Sequence, residues 1–250
     1  MQERFQPITH FEPITYQQKI LFRIRLLFDF QTNTIYRDLK VLLKCSKGKI
    51  LDVGCGNSPF KHLLDNSRTQ YYGLDIEDSF DFNYHRTDIT YFNGNQIPFE
   101  DNYFDSILCT EVLEHVPNPL VLVNEMYRVL KSDGKIILTV PFSARYHYIP
   151  HDYYRYTPSS LMSIFSHFDN IKIEARGTDI TVIGSKIIVV FFRQILNMRK
   201  IGFQAILSLI IFITGLPFLF LSLLAGHLSL ILNAGSKDDC LGYTLTANKS

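Results

Sequence analysis

The chain has 250 residues, with 25 Lys and Arg against 24 Asp and Glu for a formal net charge of +1. That length can bury a full core, and that balance lacks the basic excess of a protein built on phosphate contacts, which argues against nucleic acid as a partner. The four cysteines, Cys45, Cys55, Cys109 and Cys240, stand far apart with no CxxC pair, so neither a zinc site nor a disulfide framework is expected, no metal is implied, and a reducing cytoplasm is the natural setting. Met1 to Gln18 is polar and broken by proline where a signal peptide would place its apolar run.

In chain order, Asn33 to Cys45 predicts a helix, with Ile35, Leu39, Val41, Leu42 and Leu43 as its apolar residues and Asn33 or Thr34 as cap. Lys49 to Val53 predicts a short strand ending at Gly54, and Ser58 to Leu64 a helix with Pro59 in its first turn. Tyr71 to Ile76 reads as a second strand, Phe80 to Thr87 as a weaker third, and Phe104 to Cys109 as a fourth entered through Glu100-Asp101-Asn102. Asn118 to Leu130 is a helix closed at Ser132-Asp133-Gly134, with Gly134 as left-handed cap, and Lys135 to Val140 is a buried strand. A helix from Thr157-Pro158 to Ser166 follows, then a strand over Asn170 to Arg176. Leu241 to Ala247 alternates like a final strand. Strands alternating with helices imply an α/β fold, a parallel sheet covered on both faces.

Between Lys200 and Lys237 there is no Asp, Glu, Lys or Arg. Phe203 to Thr214 and Leu216 to Leu232 read as two apolar segments bent at Gly215-Leu216-Pro217, each short for a full membrane span. Arg193, Arg199 and Lys200 precede them, and Lys19 to Phe28 is itself basic and apolar. A helical hairpin or interfacial pair dipping into one leaflet is expected, with a buried cap or homodimer interface as the alternative.

The densest motif is Leu51-Asp52-Val53-Gly54-Cys55-Gly56-Asn57-Ser58-Pro59-Phe60, with Asp75 at the end of the next strand. Strand, glycine turn, strand and carboxylate form a pocket for a nucleoside-containing cofactor. A dinucleotide fingerprint needs a third glycine where Pro59 stands, so a cofactor without a pyrophosphate fits better. Leu51 to Gly56 resembles the first motif of class I S-adenosylmethionine-dependent methyltransferases, in particular the type 11 methyltransferase domain. Tyr72-Gly73-Leu74-Asp75-Ile76 resembles the second motif. Ile97 to Asp105, Glu111-Val112-Leu113-Glu114-His115-Val116 and Glu125 to Gly134 follow in the family's order. The resemblance covers residues 47–141 well and the rest loosely.

It implies a Rossmann-like, mostly parallel seven-stranded sheet with helices on both faces, the last strand antiparallel, here with a hydrophobic helical insertion before that strand. It implies S-adenosylmethionine as cofactor. Gly54 and Gly56 would admit the methionine portion, Cys55 and Asn57 complete the turn, and Asp52 orients the ammonium through the loop. Asp75 would bind the ribose hydroxyls, Ile76 would pack on adenine, and Asp88 with Ile89 would meet its amino group. Cys109 and Glu111, at the end of the fourth strand, would also line the cofactor. The helix after the turn would offer its free N–H groups to the cofactor carboxylate.

Catalytic candidates lie past the fourth and fifth strands: His115, either bracing the loop or touching substrate, and the run His151-Asp152-Tyr153-Tyr154-Arg155-Tyr156. His151 or Asp152 would deprotonate or orient the acceptor, with Tyr154, Arg155 and Tyr156 binding it. Similar runs occur in methyltransferases associated with surface-polysaccharide and glycan synthesis. The expected organisation is a helical cap over 1–46, a cofactor-binding core over 47–178, a hydrophobic insertion over 179–236 and a returning strand over 237–250. The leading expectation is a methyltransferase at the inner face of the cytoplasmic membrane, acting on a glycan, lipid-linked or other amphiphilic acceptor. The alternatives are a methyltransferase of a small soluble metabolite that uses the insertion to form a homo-oligomer, and a non-catalytic cofactor-binding protein. DNA methylation is disfavoured, because Cys109-Thr110-Glu111-Val112 stands where an Asn-Pro-Pro-aromatic motif would be.

Overall fold

The computed structural model describes residues 11–76, 87–197 and 203–250. The strands are β1 (Gly48–Val53), β2 (Thr69–Ile76), β3 (Thr90–Phe92), β4 (Phe104–Thr110), β5 (Leu130–Pro141), β6 (Asp169–Arg176) and β7 (Gly242–Asn248). They form one sheet in the order β3-β2-β1-β4-β5-β7-β6. Only β7 is antiparallel, pairing with β5 and β6 on either side. The chain runs outward from β1 to β3 and then restarts at β4 on the other flank, so the switch point lies between β1 and β4. Val53 of β1 pairs with Leu74 and with Cys109, which aligns the carboxyl ends of three strands at that point. Ligands of open α/β sheets bind at such a place.

The helices are α1 (Tyr16–Phe28), α2 (Phe30–Leu42), α3 (Pro119–Val129), α4 (Pro158–Ile164), α5 (Asp179–Asn197) and α6 (Phe203–Leu232). Strand residues alternate between two packed faces. Leu51, Val53, Ile107 and Leu138 join Leu122, Met126 and Val129 of α3 and Leu161 of α4. Ile50, Leu108 and Ile137 point the other way, to Ile35 and Leu39 of α2. Burial on both sides explains why these strands read as unbroken apolar runs.

Several expectations are corrected. The first predicted helix begins earlier, at Phe30, because Asp29 caps it by accepting the Thr32 N–H at 3.0 Å. Thr34 is inside the helix, its hydroxyl returned to the Phe30 carbonyl at 3.0 Å. Ser58 to Leu64 is not an α-helix but holds one 3₁₀ turn over Lys61–Leu63. Ser58 is left-handed at φ 51 and is followed by Pro59, which disfavours a helical start. Asp133, at φ 62, is the left-handed residue after α3. A Cβ on Gly134 would lie 2.6 Å from the Lys131 carbonyl, so this glycine permits a close backbone approach. The strand expected over Phe80 to Thr87 falls outside the described residues except for Thr87, as do Arg199 and Lys200. β3 was not anticipated.

α6 is one unbroken helix through Gly215 and Pro217. Proline removes a single helical hydrogen bond. Gly215 serves packing, since a Cβ there would sit 3.3 Å from the Phe191 ring. The hairpin partner of α6 is therefore α5. Thr178 and Ser229 hydroxyls meet at 2.6 Å at its base, and Phe191 stacks on Phe212 at 4.8 Å further out. Phe30 plugs the base against Val182 and Leu219.

Candidate active site

The glycine turn is held from both strands. Gly54 and Cys55 donate to the Leu74 carbonyl at 2.8 and 3.0 Å. Gly54 has φ 67, and a Cβ there would lie 2.4 Å from Val112, so the turn and the loop after β4 touch only because this residue lacks a side chain. Gly56 donates its N–H to Asp75 Oδ2 at 2.9 Å, while Asp75 Oδ1 accepts the Ile76 N–H at 2.8 Å. The predicted acid and the predicted turn thus form one unit, with Asp75 buried and the Ile76 side chain exposed at the sheet edge. Cys55 is buried, Asn57 is half-buried in the turn, Asp88 is exposed ahead of β3, and Ile89 is half-buried against Gly73.

Asp52 does something different from the expected role. It accepts the Tyr71 hydroxyl at 2.7 Å, and that hydroxyl also lies 2.7 Å from Ser58 Oγ. Burial and the Asp52 charge push the Tyr71 phenol far above its ordinary range, so it remains a donor. Asp52 therefore steadies the turn from beneath. With only a 3₁₀ turn after it, no helix N-terminus faces the expected carboxylate position.

Past β4 the chain turns sharply at Glu111, φ 53, whose N–H is tied to the Thr139 carbonyl at 3.0 Å. Its carboxylate receives Arg176 Nη2 at 2.7 Å. Arg176 is the largest fully buried side chain and also donates to the Val140 carbonyl at 3.0 Å, to Gln31 at 3.2 Å and to Thr34 at 3.3 Å. Sequence reasoning missed Arg176; the only signal was a charged residue closing an alternating strand. Removing one partner of a buried pair leaves the other uncompensated, so Arg176→Met is expected to cost about 3–5 kcal/mol. The check is a fall in the urea midpoint at unchanged slope, with Glu111→Gln in the same background costing little more.

The loop after β5 folds back over the end of β4. Tyr153 and Tyr154 donate their N–H groups to the Glu114 carbonyl at 2.8 and 3.2 Å. Asp152 is engaged on both oxygens: Arg155 holds Oδ1 at 2.6 Å and Oδ2 at 2.8 Å, and the His147 N–H reaches Oδ2 at 2.9 Å. Burial would raise this carboxyl, but these hydrogen bonds outweigh it and hold it below its ordinary value. Asp152 and Arg155 thus position the loop, and the guanidinium is committed within the protein. Tyr156 is buried, its hydroxyl on the Leu113 carbonyl at 2.9 Å, and so packs where an acceptor-binding role had been expected. Tyr154 reaches the Pro117 carbonyl at 2.9 Å. His151 is exposed, its Nδ1 3.2 Å from the Tyr153 hydroxyl. His115 lies beneath, Nδ1 2.6 Å from the His151 carbonyl, and burial lowers its pKa to about 4. Cys109 and Glu114 are fully buried, and burial pushes both well up.

Residues 51–138 match the family model described as a methyltransferase domain. An uncharacterized protein of Methanocaldococcus jannaschii is 37% identical over 116 residues, which is 45% of this chain and 51% of that protein. The ubiquinone biosynthesis O-methyltransferase of Actinobacillus pleuropneumoniae is 31% identical over 104 residues, 36% of this chain and 44% of that enzyme. The chain thus spans about half the length of these curated relatives. A SAM-dependent methyltransferase from Archaeoglobus fulgidus shares the fold with a TM-score of 0.54 at 18% identity, over 94% of this chain and all of that one. Residues 51–138 belong to the type 11 methyltransferase-domain family and are set in a class I methyltransferase fold.

Proposed function

We propose that this chain transfers the methyl group of S-adenosylmethionine to a hydroxyl of an amphiphilic acceptor at a membrane surface. The observation that carries the donor half is the hydrogen bond joining Gly56 of the turn to Asp75 at the switch point. In this reading the side-chain-free turn receives the methionine portion, Asp75 the ribose hydroxyls and Ile76 the adenine. A sulfonium is a good leaving group, so alignment and exclusion of water supply about 7–11 kcal/mol. A hydroxyl acceptor also needs a base. His151 takes that role, as the exposed imidazole of the loop over β4, while Asp152 and Arg155 position it. The printed name of the Actinobacillus relative, an O-methyltransferase of ubiquinone biosynthesis, supports oxygen as the acceptor atom and a lipid-like acceptor.

The acceptor half rests on α6. Ile206–Leu232 is long and apolar enough to cross a membrane by length and composition, and little of it is buried. At 1.5 Å per residue it is roughly 40 Å long. Ile210, Phe218, Phe220 and Leu224 are among its exposed side chains. α5 leaves the sheet at β6 and α6 returns at β7, its neighbour, so the hairpin enters and leaves the membrane from the same side. α1 adds exposed Ile20, Leu21, Ile24 and Leu27 beside Lys19 and Arg23, and its Leu27 carbonyl is linked to His227 of α6 at 2.9 Å. Apolar side chains with basic neighbours suit an anionic leaflet. Residues 47–178 would bind the donor, 179–236 would hold the membrane, 1–46 would cap the core and 237–250 close the sheet, at the cytoplasmic inner face.

Flotation with vesicles containing anionic phospholipid tests this half. The protein is expected to float, and Phe218→Asp with Leu221→Asp to release it. Recovery wholly in the soluble fraction, with dimers in detergent-free buffer, would instead support hairpins buried between copies and a soluble metabolite as acceptor.

A further inference from the structure

Glu114, in the short turn after β4, is fully buried, and neither of its carboxylate oxygens has a hydrogen-bond partner. Buried polar groups are normally satisfied, and leaving a carboxyl unpaired costs several kcal/mol at the least favourable reference states. Its near neighbour is His115, whose Nε2 stands 3.6 Å from Glu114 Oε1, beyond hydrogen-bonding distance. His115 has its other nitrogen taken: Nδ1 meets the His151 carbonyl at 2.6 Å, which makes it the N–H and leaves Nε2 with the lone pair.

The loop after β5 brings in His147, with its ring 4.9 Å from that of His115 between centroids. Its Nδ1 is likewise held, 2.9 Å from the Arg145 carbonyl and 3.1 Å from Asp152 Oδ2. One ligating atom from each of Glu114, His115 and His147 lies within 4.8 Å of the other two.

We propose that Glu114, His115 and His147 bind one divalent transition-metal ion of the zinc class. Two imidazoles and one carboxylate, with a fourth position left for water or substrate, form a donor set that zinc accepts. The outer contacts are in place as well. Ligating histidines characteristically give their second nitrogen to a carbonyl or a carboxylate, as His115 does to His151 and His147 to Asp152. Arg155 then anchors Asp152 from the far side, which accounts for a bidentate ion pair in a loop otherwise made of aromatic residues. The ion would supply the buried Glu114 carboxylate with the partner that the protein withholds. Cysteine spacing gave no sign of such a site, since its ligands come from two loops and include no thiol.

The proposal stands apart from the methyl-transfer reading, because its test reads metal and not turnover. The full chain, in a Cys45→Ser background that removes the exposed thiol, is stripped with chelator and titrated with zinc chloride by calorimetry. It is then loaded with cobalt for its visible spectrum. One equivalent of zinc is expected to bind, and cobalt to give the intense bands of a four-coordinate site. Glu114→Gln and His147→Asn are each expected to weaken zinc by more than about 100-fold, beyond the roughly 10–100-fold that loss of an outer contact costs. Circular dichroism establishes that each variant is folded. The proposal is overturned if the parent chain takes up no zinc, which requires no variant at all, or if both variants bind it as tightly as the parent.

Discussion

Asp75→Ala is expected to weaken binding of S-adenosylmethionine by about 10²- to 10⁴-fold, the equivalent of losing two charge-assisted hydrogen bonds of roughly 1.5–3 kcal/mol each. The effect has two parts. The carboxylate is the acceptor for the ribose hydroxyls, and it also holds the Gly56 N–H at 2.9 Å, so its removal loosens the turn that meets the methionine portion. Asp75→Asn keeps one acceptor oxygen and is expected to fall between the two. Because Asp75 lies at the end of β2 and its bonds are to the turn, the sheet survives, and the thermal midpoint is expected to move little. Calorimetric titration of the donor into each variant is the check; affinity within twofold of the parent would remove Asp75 from the site.

His151→Ala is expected to lower the methyl-transfer rate by about 10²- to 10⁴-fold, the range for loss of a general base, with donor affinity unchanged. His151 is the exposed imidazole of its loop, whereas the neighbouring Asp152 has both oxygens engaged by Arg155 and His147. Asp152→Asn is expected to act more weakly, by letting the loop shift. Single-turnover rates with labelled donor separate chemistry from binding, and free imidazole is expected to restore part of the rate in His151→Ala alone. A structural role would give no such rescue, and an unchanged rate would exclude His151 as the base.

The parts of this molecule that were legible in its sequence are those with local causes. Ile50 to Val53 and Ile136 to Val140 are apolar because both sheet faces are covered, and that pattern identifies strands at once. The Gly54–Gly56 turn and Asp75 were legible because glycine spacing encodes a backbone path. Long-range causes were not. The segment after Pro59 reads as helical, yet Tyr71 pulls Ser58 toward the sheet across a bond no local window contains. Asp29 displaces Asn33 as cap because α1 ends directly before it and Arg25 pairs with it at 3.0 Å. Gly215 and Pro217 suggest a bend until Phe191 of α5 is seen to need the space. Arg176 gathers Gln31, Thr34, Glu111 and Val140 from four distant segments. Periodicity cannot reveal such a hub, although the loop it anchors carries the candidate chemistry.

The central claim is methyl transfer from a donor bound at the Asp75 turn to an acceptor at a membrane. Its most direct test incubates the full chain with S-adenosylmethionine labelled in the methyl group, in the presence of native membranes, followed by separation into organic and aqueous phases. The account predicts label in the organic phase that depends on the membranes and is lost in Asp75→Ala. A chain that binds the donor with full affinity, yet moves no label into either phase, would contradict it.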